Sequence, residues 1–353
     1  MAPKILIDLG KLQKNALKMK SMCADNGIDN LCVVVKVLSG DIQTVESIAS
    51  IGFDYLGDSR IENLKKFQSI NVKKALMRLP MISQVNQVVK YADLSLNSEI
   101  ETIRKLNYAA KKHRKNHEII LMFDMGDLRE GIFYQEDYLD MVDEILSMDN
   151  IILKGIGTNL TCHGGVIPNN ENLTNLVKIA HSIEHEFDYP LDIISGGNSS
   201  SIHLFGTDVI PHEINNLRIG EAIMLGRETA YGHKITAMDE DVFTLYAELI
   251  EIKEKPSYPI GEIGMNSFGE VPKIVDLGMM RRGIVAIGKQ DVQIDNIQPI
   301  DSEIEIVGGS SDHLIINLKS SNYHLGDLIS FRPNYPGLLQ LMTSKYVKKI
   351  HHQ

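Results

Sequence analysis

With 353 residues the chain has room for one large domain and a smaller one, and its 43% hydrophobic content excludes wholesale disorder. A formal net charge of −10, with no basic cluster beyond short runs such as Lys111–Lys115, argues against a nucleic-acid binder. No apolar run approaches the roughly 20 residues that span a bilayer, and the start Met1–Asp8 lacks a hydrophobic leader core. Cys23, Cys32 and Cys162 are odd in number and irregular in spacing, which points to reduced thiols in the cytoplasm and to no metal site.

Ile5–Leu9 reads as a strand, followed by a helix with Leu12, Ala16 and Met19 on one face. Leu31–Leu38 is a short, β-branched, apolar run with Lys36 in its middle, and it reads as a buried strand of a parallel sheet. Lysine is almost never fully buried unless paired. Lys36 therefore either snorkels its head into water at a strand end or is a desolvated amine kept nucleophilic for Schiff-base chemistry. This stretch alone leaves both readings open.

Short strands then recur near Tyr55–Gly57, Ala75–Arg78, Asp93–Leu96, Ile119–Phe123, Gly155–Asn159, Asp192–Ser195 and Asn216–Ile219. Helical patterns such as Glu99–Lys112 and Glu136–Ser147 fill the gaps. The basic run at Lys111 ends one of these helices, where cations suit the dipole. Eight strand–helix units are the arithmetic of an α/β fold, a (β/α)8 TIM-type barrel, and their regularity favours closure over a doubly wound sheet. After Tyr231–His233 the segments turn Val- and Ile-rich with turn residues between them. The expected division is a barrel over 1–233, whose first strand could equally join the other domain, and a C-terminal mostly-β domain over 234–353.

In such a barrel, functional residues gather at the C-terminal ends of strands. Lys36, the stretches Asp124–Gly131 and Thr158–Gly165, the turn Ser195–Ser201 and the segment Arg218–Glu221 all fall there. The glycines and hydroxyls of Ser195–Ser201 make an anion cradle, at the loops that usually hold phosphate in this fold.

A barrel lysine, a phosphate cradle and an arginine between them suggest pyridoxal phosphate (PLP). With Ile7–Leu9, Asn15, Val34–Lys36, Asp124–Gly131, Ser195–Ser201, Leu217–Glu221, Pro256–Gly264 and Ser310–His313, the chain resembles the alanine-racemase-like, fold-type III PLP enzymes over nearly its whole length. Within them it is similar to the ornithine racemase group of bacterial amino-acid racemases. The resemblance implies that Lys36 holds PLP as an internal aldimine and is one of two acid/base groups. It implies that Arg218 faces the pyridine nitrogen, and that Ser199, Ser200 and the backbone around Gly220 hold the phosphate, with Tyr346 a weaker candidate. Arg129 would sit beside the phenolic oxygen and the substrate carboxylate. Asn159 falls where the family often has a ring-stacking histidine.

A guanidinium cannot be deprotonated in a protein, so Arg218 is a poor proton donor to the ring nitrogen. That suits removal and return of the α-proton with little transamination, and it speaks against the related decarboxylases. The β domain speaks against a non-catalytic PLP-binding homeostasis protein. The absence of a His/Cys/Asp cluster speaks against a metal-assisted aldolase. The implied reaction is two-base racemisation of ornithine or lysine between L and D forms, with alanine or broad specificity as the alternative, in a head-to-tail homodimer.

The second base is left open by the sequence. Pro259–Phe268 carries no tyrosine at the matching place, where Asn266 stands and cannot act as a base. Tyr258, His313 and Cys162 are the candidates, each with a plainer reading as pocket wall, turn residue or small buried hydrophobe. A cationic side chain needs a carboxylate. Asp127, Glu221, Glu262, Asp291 and Asp312 are offered, and none is singled out.

Overall fold

The computed structural model describes residues 3–265, 268–269, 271 and 274–353. The chain forms two compact units, Gly10–Glu240 and a second built from the residues up to Leu9 with Asp241–Gln353.

Strand β1 (Lys4–Asp8) leads into α1 (Leu9–Asp25). Strand and helix then alternate: β2 (Asn30–Val34), α2 (Ile42–Ala49), β3 (Tyr55–Asp58), α3 (Ile61–Lys66), β4 (Lys73–Leu76), α4 (Val85–Tyr91), β5 (Leu94–Asn97), α5 (Ile100–His113) and β6 (His117–Asp124). The two-residue β7 (Ile132–Phe133), α6 (Leu139–Leu146), β8 (Ile151–Gly157), α7 (Asn170–Phe187), β9 (Ile193–Ser195), β10 (Asn216–Ile219) and α8 (Glu221–Leu225) complete the first unit. The sheet runs β5-β4-β3-β2-β10-β9-β8-β6, and a β5–β6 pairing closes it. All its ladders are parallel, so this is the eight-stranded parallel barrel that the alternation predicts.

Alternate strand residues fill the barrel. Leu94 and Leu96, Ile120 and Met122, with Cys32, Val34, Tyr55, Ala75 and Ile193, make one buried cluster. The intervening residues pack on helices such as α5, which buries Ile103, Leu106 and Ala110 along one stripe and ends in Lys111, Lys112 and His113. Helix starts carry local signals. Asp41 caps α2 by accepting from Thr44 N at 3.0 Å, and Asn169 and Asn172 cap each other across the first turn of α7.

The structure corrects the expected Leu31–Leu38 strand. β2 ends at Val34, and Lys36–Leu38 form a single 3-10 turn closed by Ser39 and Gly40 in left-handed conformations. Lys36 thus lies past the strand end and is exposed, whereas Val35, Val37 and Leu38 are buried. The apolar run misled because its last residues are buried by a turn and not by a ladder. Burying Val37 and Leu38 contributes roughly 1.5–3 kcal/mol each, enough to hold the turn down.

The second unit is an antiparallel sheet. Its strands are β11 (Phe243–Pro256), β12 (Met279–Val285), β13 (Ile297–Pro299), β14 (Glu305–Gly309), β15 (Leu314–Asn317) and β16 (Leu328–Pro333), followed by α9 (Tyr335–Thr343) and β17 (Lys348–His352). The order is β13-β16-β11-β12-β15-β14, and β1 joins it between β11 and β17. Alternate β11 residues Leu245, Ala247 and Leu249 pack with Ile316, Ile329 and Phe331 as its core. The barrel unit continues past His233 to Glu240. There Arg227 and Lys234 pair with Glu240, and Lys14 and Asn15 of α1 hold Asp239.

Candidate active site

The C-terminal rim of the barrel carries a continuous polar chain centred on Arg218. Arg218 lies near the end of β10 and is buried, with its guanidinium held by three acceptors. Nη1 donates to Ser195 Oγ, and Nη2 donates to the Thr158 carbonyl and to Asn159 Oδ1, the last at 2.7 Å. Ser195 Oγ in turn donates to Asn216 Oδ1, whose amide reaches Asn30 Oδ1 at 2.6 Å. Gly157 makes room for this guanidinium, since a Cβ there would lie 2.9 Å from Ser195 Cβ and 3.2 Å from Arg218 Nη1. Burial pushes the Arg218 pKa down, against the pull of the two thiols Cys32 and Cys162 and of Glu130. Three acceptors keep the charged form satisfied.

The chain of contacts continues outward. The Asn159 amide donates to Glu130, which also pairs with Arg129, whose Nη2 donates to Glu130 Oε1 at 2.6 Å. Arg129, exposed at the mouth, is therefore linked through Glu130 and Asn159 to the buried Arg218. The loop carrying Arg129 and Glu130 is fixed by two aspartates. Asp124 accepts from Gly126 N at 2.8 Å and Leu128 N at 3.1 Å. Asp127, fully buried, accepts from Cys162 N, His163 N and Val166 N at 3.1, 2.9 and 3.0 Å. Asp127 therefore ties the loop after β6 to the loop after β8, its carboxylate buried among backbone amides.

The turn after β9 is built as a cradle. Asn198 accepts from Ser200 N at 2.9 Å and donates to the Leu160 carbonyl and to Cys162 Sγ. Ser199 Oγ accepts from Gly220 N at 3.4 Å and Ala222 N at 3.3 Å, joining this turn to the end of β10. Ser200 Oγ is buried and has no hydrogen-bond partner among the described residues. Gly220 passes so close to β2 that a Cβ would sit 2.7 Å from the Val34 carbonyl oxygen.

Two carboxyl groups stand on either side of Lys36 in the sheet order, Asp58 closing β3 and Glu221 following β10. Burial pushes Asp58 up to about 6, against the Arg60 amide, Asn63 and Lys36. Burial likewise pushes Glu221 up to about 7, against Lys36. The Cys162 thiol is also pushed up by desolvation, with Arg129 and Lys36 pulling the other way. No group of His, Cys, Asp and Glu among the described residues could hold a metal ion, and no helix there is long and apolar enough to cross a membrane.

Lys36, Arg129, Asn159, Ser199, Ser200, Arg218 and Gly220 thus meet at one end of the barrel. Tyr258, His313 and Tyr346 belong to the second unit. Tyr258 follows β11 and is half-exposed, and Tyr346 precedes β17 beneath Lys345 Nζ at 5.1 Å from its ring. His313 sits in the β14–β15 turn, where its carbonyl accepts from Ser310 N at 2.8 Å. Asn266 lies outside the described residues. Asp291 accepts from Ser344 Oγ at 2.6 Å, and Glu262 and Asp312 are exposed. The sequence reading missed Asp58 and Glu130. Asp58 closes β3 and Glu130 lies in the loop between β6 and β7, and a strand-end loop of this kind was their signal.

Residues 7–228 match the family model of the alanine racemase N-terminal domain. The chain belongs to the alanine racemase family. It is 49% identical to ornithine racemase of Acetoanaerobium sticklandii over 351 residues, 99% of each chain. It is 36% identical to lysine racemase of Thermotoga maritima, covering 99% of this chain and 98% of that one. Its fold matches that of alanine racemase from Bartonella henselae, a structure with covalently bound pyridoxal phosphate, with a TM-score of 0.75 over the whole of both chains at 16% identity. Within the alanine racemase family, then, this member has an asparagine, Asn159, between Glu130 and Arg218.

Proposed function

We propose that the protein is a PLP-dependent racemase of a basic amino acid, ornithine or lysine. The observation that carries this reading is the meeting of Lys36, Arg218 and the Ser199–Ser200 turn on one rim of a barrel whose full-length relatives are named ornithine and lysine racemase. The residues fit the cofactor. The partnerless buried hydroxyl of Ser200 suits a phosphate oxygen, with Ser199 and the backbone at Gly220 beside it. The guanidinium of Arg218 suits the ring nitrogen, and Lys36 is exposed for attachment.

When bound, PLP supplies the electron-withdrawing group that acidifies the α-hydrogen. The protein's own residues do the rest. Lys36 takes or returns the proton at the α-carbon on one face. Arg129 pairs with the substrate carboxylate, its direction fixed by Glu130. Arg218 keeps its proton and so gives the ring nitrogen a hydrogen bond without a transfer.

The proton on the other face comes, in this reading, from Tyr258 or His313 of a second copy arranged head to tail. The connection after β11 supports such an arrangement. Its Ile260, Met265 and Val275 are 92%, 76% and 73% exposed, large apolar side chains that a partner would cover.

The test uses purified protein, its cofactor absorbance and chiral chromatography of L-ornithine, L-lysine and L-alanine. Racemisation of ornithine or lysine in preference to alanine is expected. Lys36→Ala is expected to lose both the absorbance and turnover, and a Lys36→Ala protein that still racemises would overturn the assignment. Tyr258→Phe and His313→Gln locate the second group. The one that matters slows solvent-deuterium incorporation from one enantiomer far more than from the other.

A further inference from the structure

Among the described residues, Glu221 is a half-buried carboxylate of the barrel rim without a hydrogen-bond donor. The others are committed. Asp41 caps α2, and Asp58 accepts from the Asn63 amide at 3.2 Å and from Arg60 N at 2.8 Å. Asp124 and Asp127 hold backbone amides, and Glu130 holds Arg129 and Asn159. Glu228 accepts from the amides of Ala230, Tyr231 and His233, at 2.7 Å from the first and last. Glu221 has neither a hydrogen bond nor an ion pair among the described residues. A carboxylate taken partly out of water without a partner is costly, and burial already pushes its pKa up to about 7.

Its place says what kind of partner would satisfy it. Ile219 is in register with Val33 on the adjacent β2, and Gly220 passes against Val34. Glu221 therefore emerges on the rim beside the turn that carries Lys36, next to the Ser199–Gly220 contact of the phosphate cradle. Lys36 is the charge that favours the ionised form of Glu221, but the two make no ion pair. With no ion pair to Lys36 among the described residues, the carboxylate at this place in the rim is left for a cation that the site takes up.

We infer that Glu221 is the specificity residue of this site, its carboxylate receiving the distal ammonium of a basic amino acid. The inference rests on the racemase reading and deepens it by naming the residue that distinguishes ornithine or lysine from an uncharged side chain. Of the five carboxylates that the sequence offers for this role, Asp127 is fully buried and already holds three backbone amides. A charge-assisted contact in a half-buried site discriminates strongly, because the uncharged analogue leaves the carboxylate unpaired.

The test is calorimetric titration of the holoenzyme with 5-aminopentanoate, which carries a carboxylate and a distal ammonium but no α-amino group, and with pentanoate, which lacks the ammonium. The wild-type chain is expected to bind the amino acid at least tenfold more tightly than pentanoate. Glu221→Gln is expected to erase that preference, and Glu221→Asp to restore part of it. The ratio of kcat/KM for L-ornithine over L-norvaline is expected to fall at least tenfold in Glu221→Gln. No preference in the wild type, or a preference that survives Glu221→Gln, overturns the inference. A Glu221-dependent probe preference in a protein that racemises nothing would sink the racemase reading and leave the carboxylate assignment standing. An unchanged ornithine-to-norvaline ratio in an active Glu221→Gln enzyme would do the reverse.

Discussion

At Arg218 one side chain answers to both packing and chemistry. Arg218→Glu leaves the Thr158 carbonyl and Asn159 Oδ1 without their donor in a buried site. Stranding such acceptors costs roughly 1–3 kcal/mol each, so the thermal midpoint should drop by several degrees; an unchanged midpoint would mean that these bonds do not hold in solution. In the proposed function Arg218 faces the cofactor's ring nitrogen, to which a carboxylic acid could hand a proton and a guanidinium could not. The same variant should therefore raise transamination relative to racemisation, measured as keto-acid formed per racemic turnover. Glu130→Gln is the complementary case. It keeps the shape but loses the charge that joins Arg129 to Asn159, so kcat/KM should fall roughly tenfold or more through misplacement of Arg129, while the melting temperature barely moves. That Lys36, Arg129, Arg218 and the serines share one rim was legible because their loops recur at strand ends. Glu130 and Asp58 were not, since a carboxylate next to a cation reads as surface until its partners are known.

At the scale of elements, the eight barrel strands were legible because each is a short apolar run between turn residues, and only their ends moved. The β8 strand begins at Ile151, earlier than the glycine-rich stretch that marked it. Lys36 left its expected strand because a buried turn and a buried strand share one composition. Between elements, Asp127 is the tie that no periodicity could reveal, since its three amides come from a loop more than thirty residues on. Asp127→Ala should cost about 3 kcal/mol by stranding those amides. It should also raise KM by loosening Arg129; thermal unfolding and steady-state kinetics would check both, and a silent substitution would refute the tie.

For the whole molecule, acid stability has an identifiable contributor. His117 is fully buried, bonded through Nε2 to Ser95 Oγ at 2.8 Å, and burial lowers its pKa from 6.5 to about 3. Below about 6.5 the unfolded chain takes up a proton that the folded chain refuses until about 3. Stability contributed by the neutral form is therefore complete above the unfolded value and is lost as pH falls through that window. His117→Gln should flatten the fall of the melting temperature between these limits, and an unaltered slope would assign the acid limb to other groups. The division into a barrel and a β unit was legible from the change of pattern, and so was the option that the first strand joins the β unit, but its pairing was not. Nothing local in Lys4–Asp8 says that its neighbours are Phe243–Tyr246 and Lys348–His352.

That pairing has a consequence during synthesis. β1 is made before the barrel strands, yet it is paired in parallel, Lys4 with Lys348 through Asp8 with His352, to β17, which is made after them. The barrel between them is contiguous and can close as soon as it is made. At the usual rates of translation β1 waits on the order of 20–70 s with its apolar Ile5 and Ile7 unshielded, an interval in which an open strand edge invites the wrong neighbour. Slowing elongation anywhere between the codons of β1 and those of β17 lengthens that wait and should therefore lower the soluble yield; an unchanged yield would refute the point.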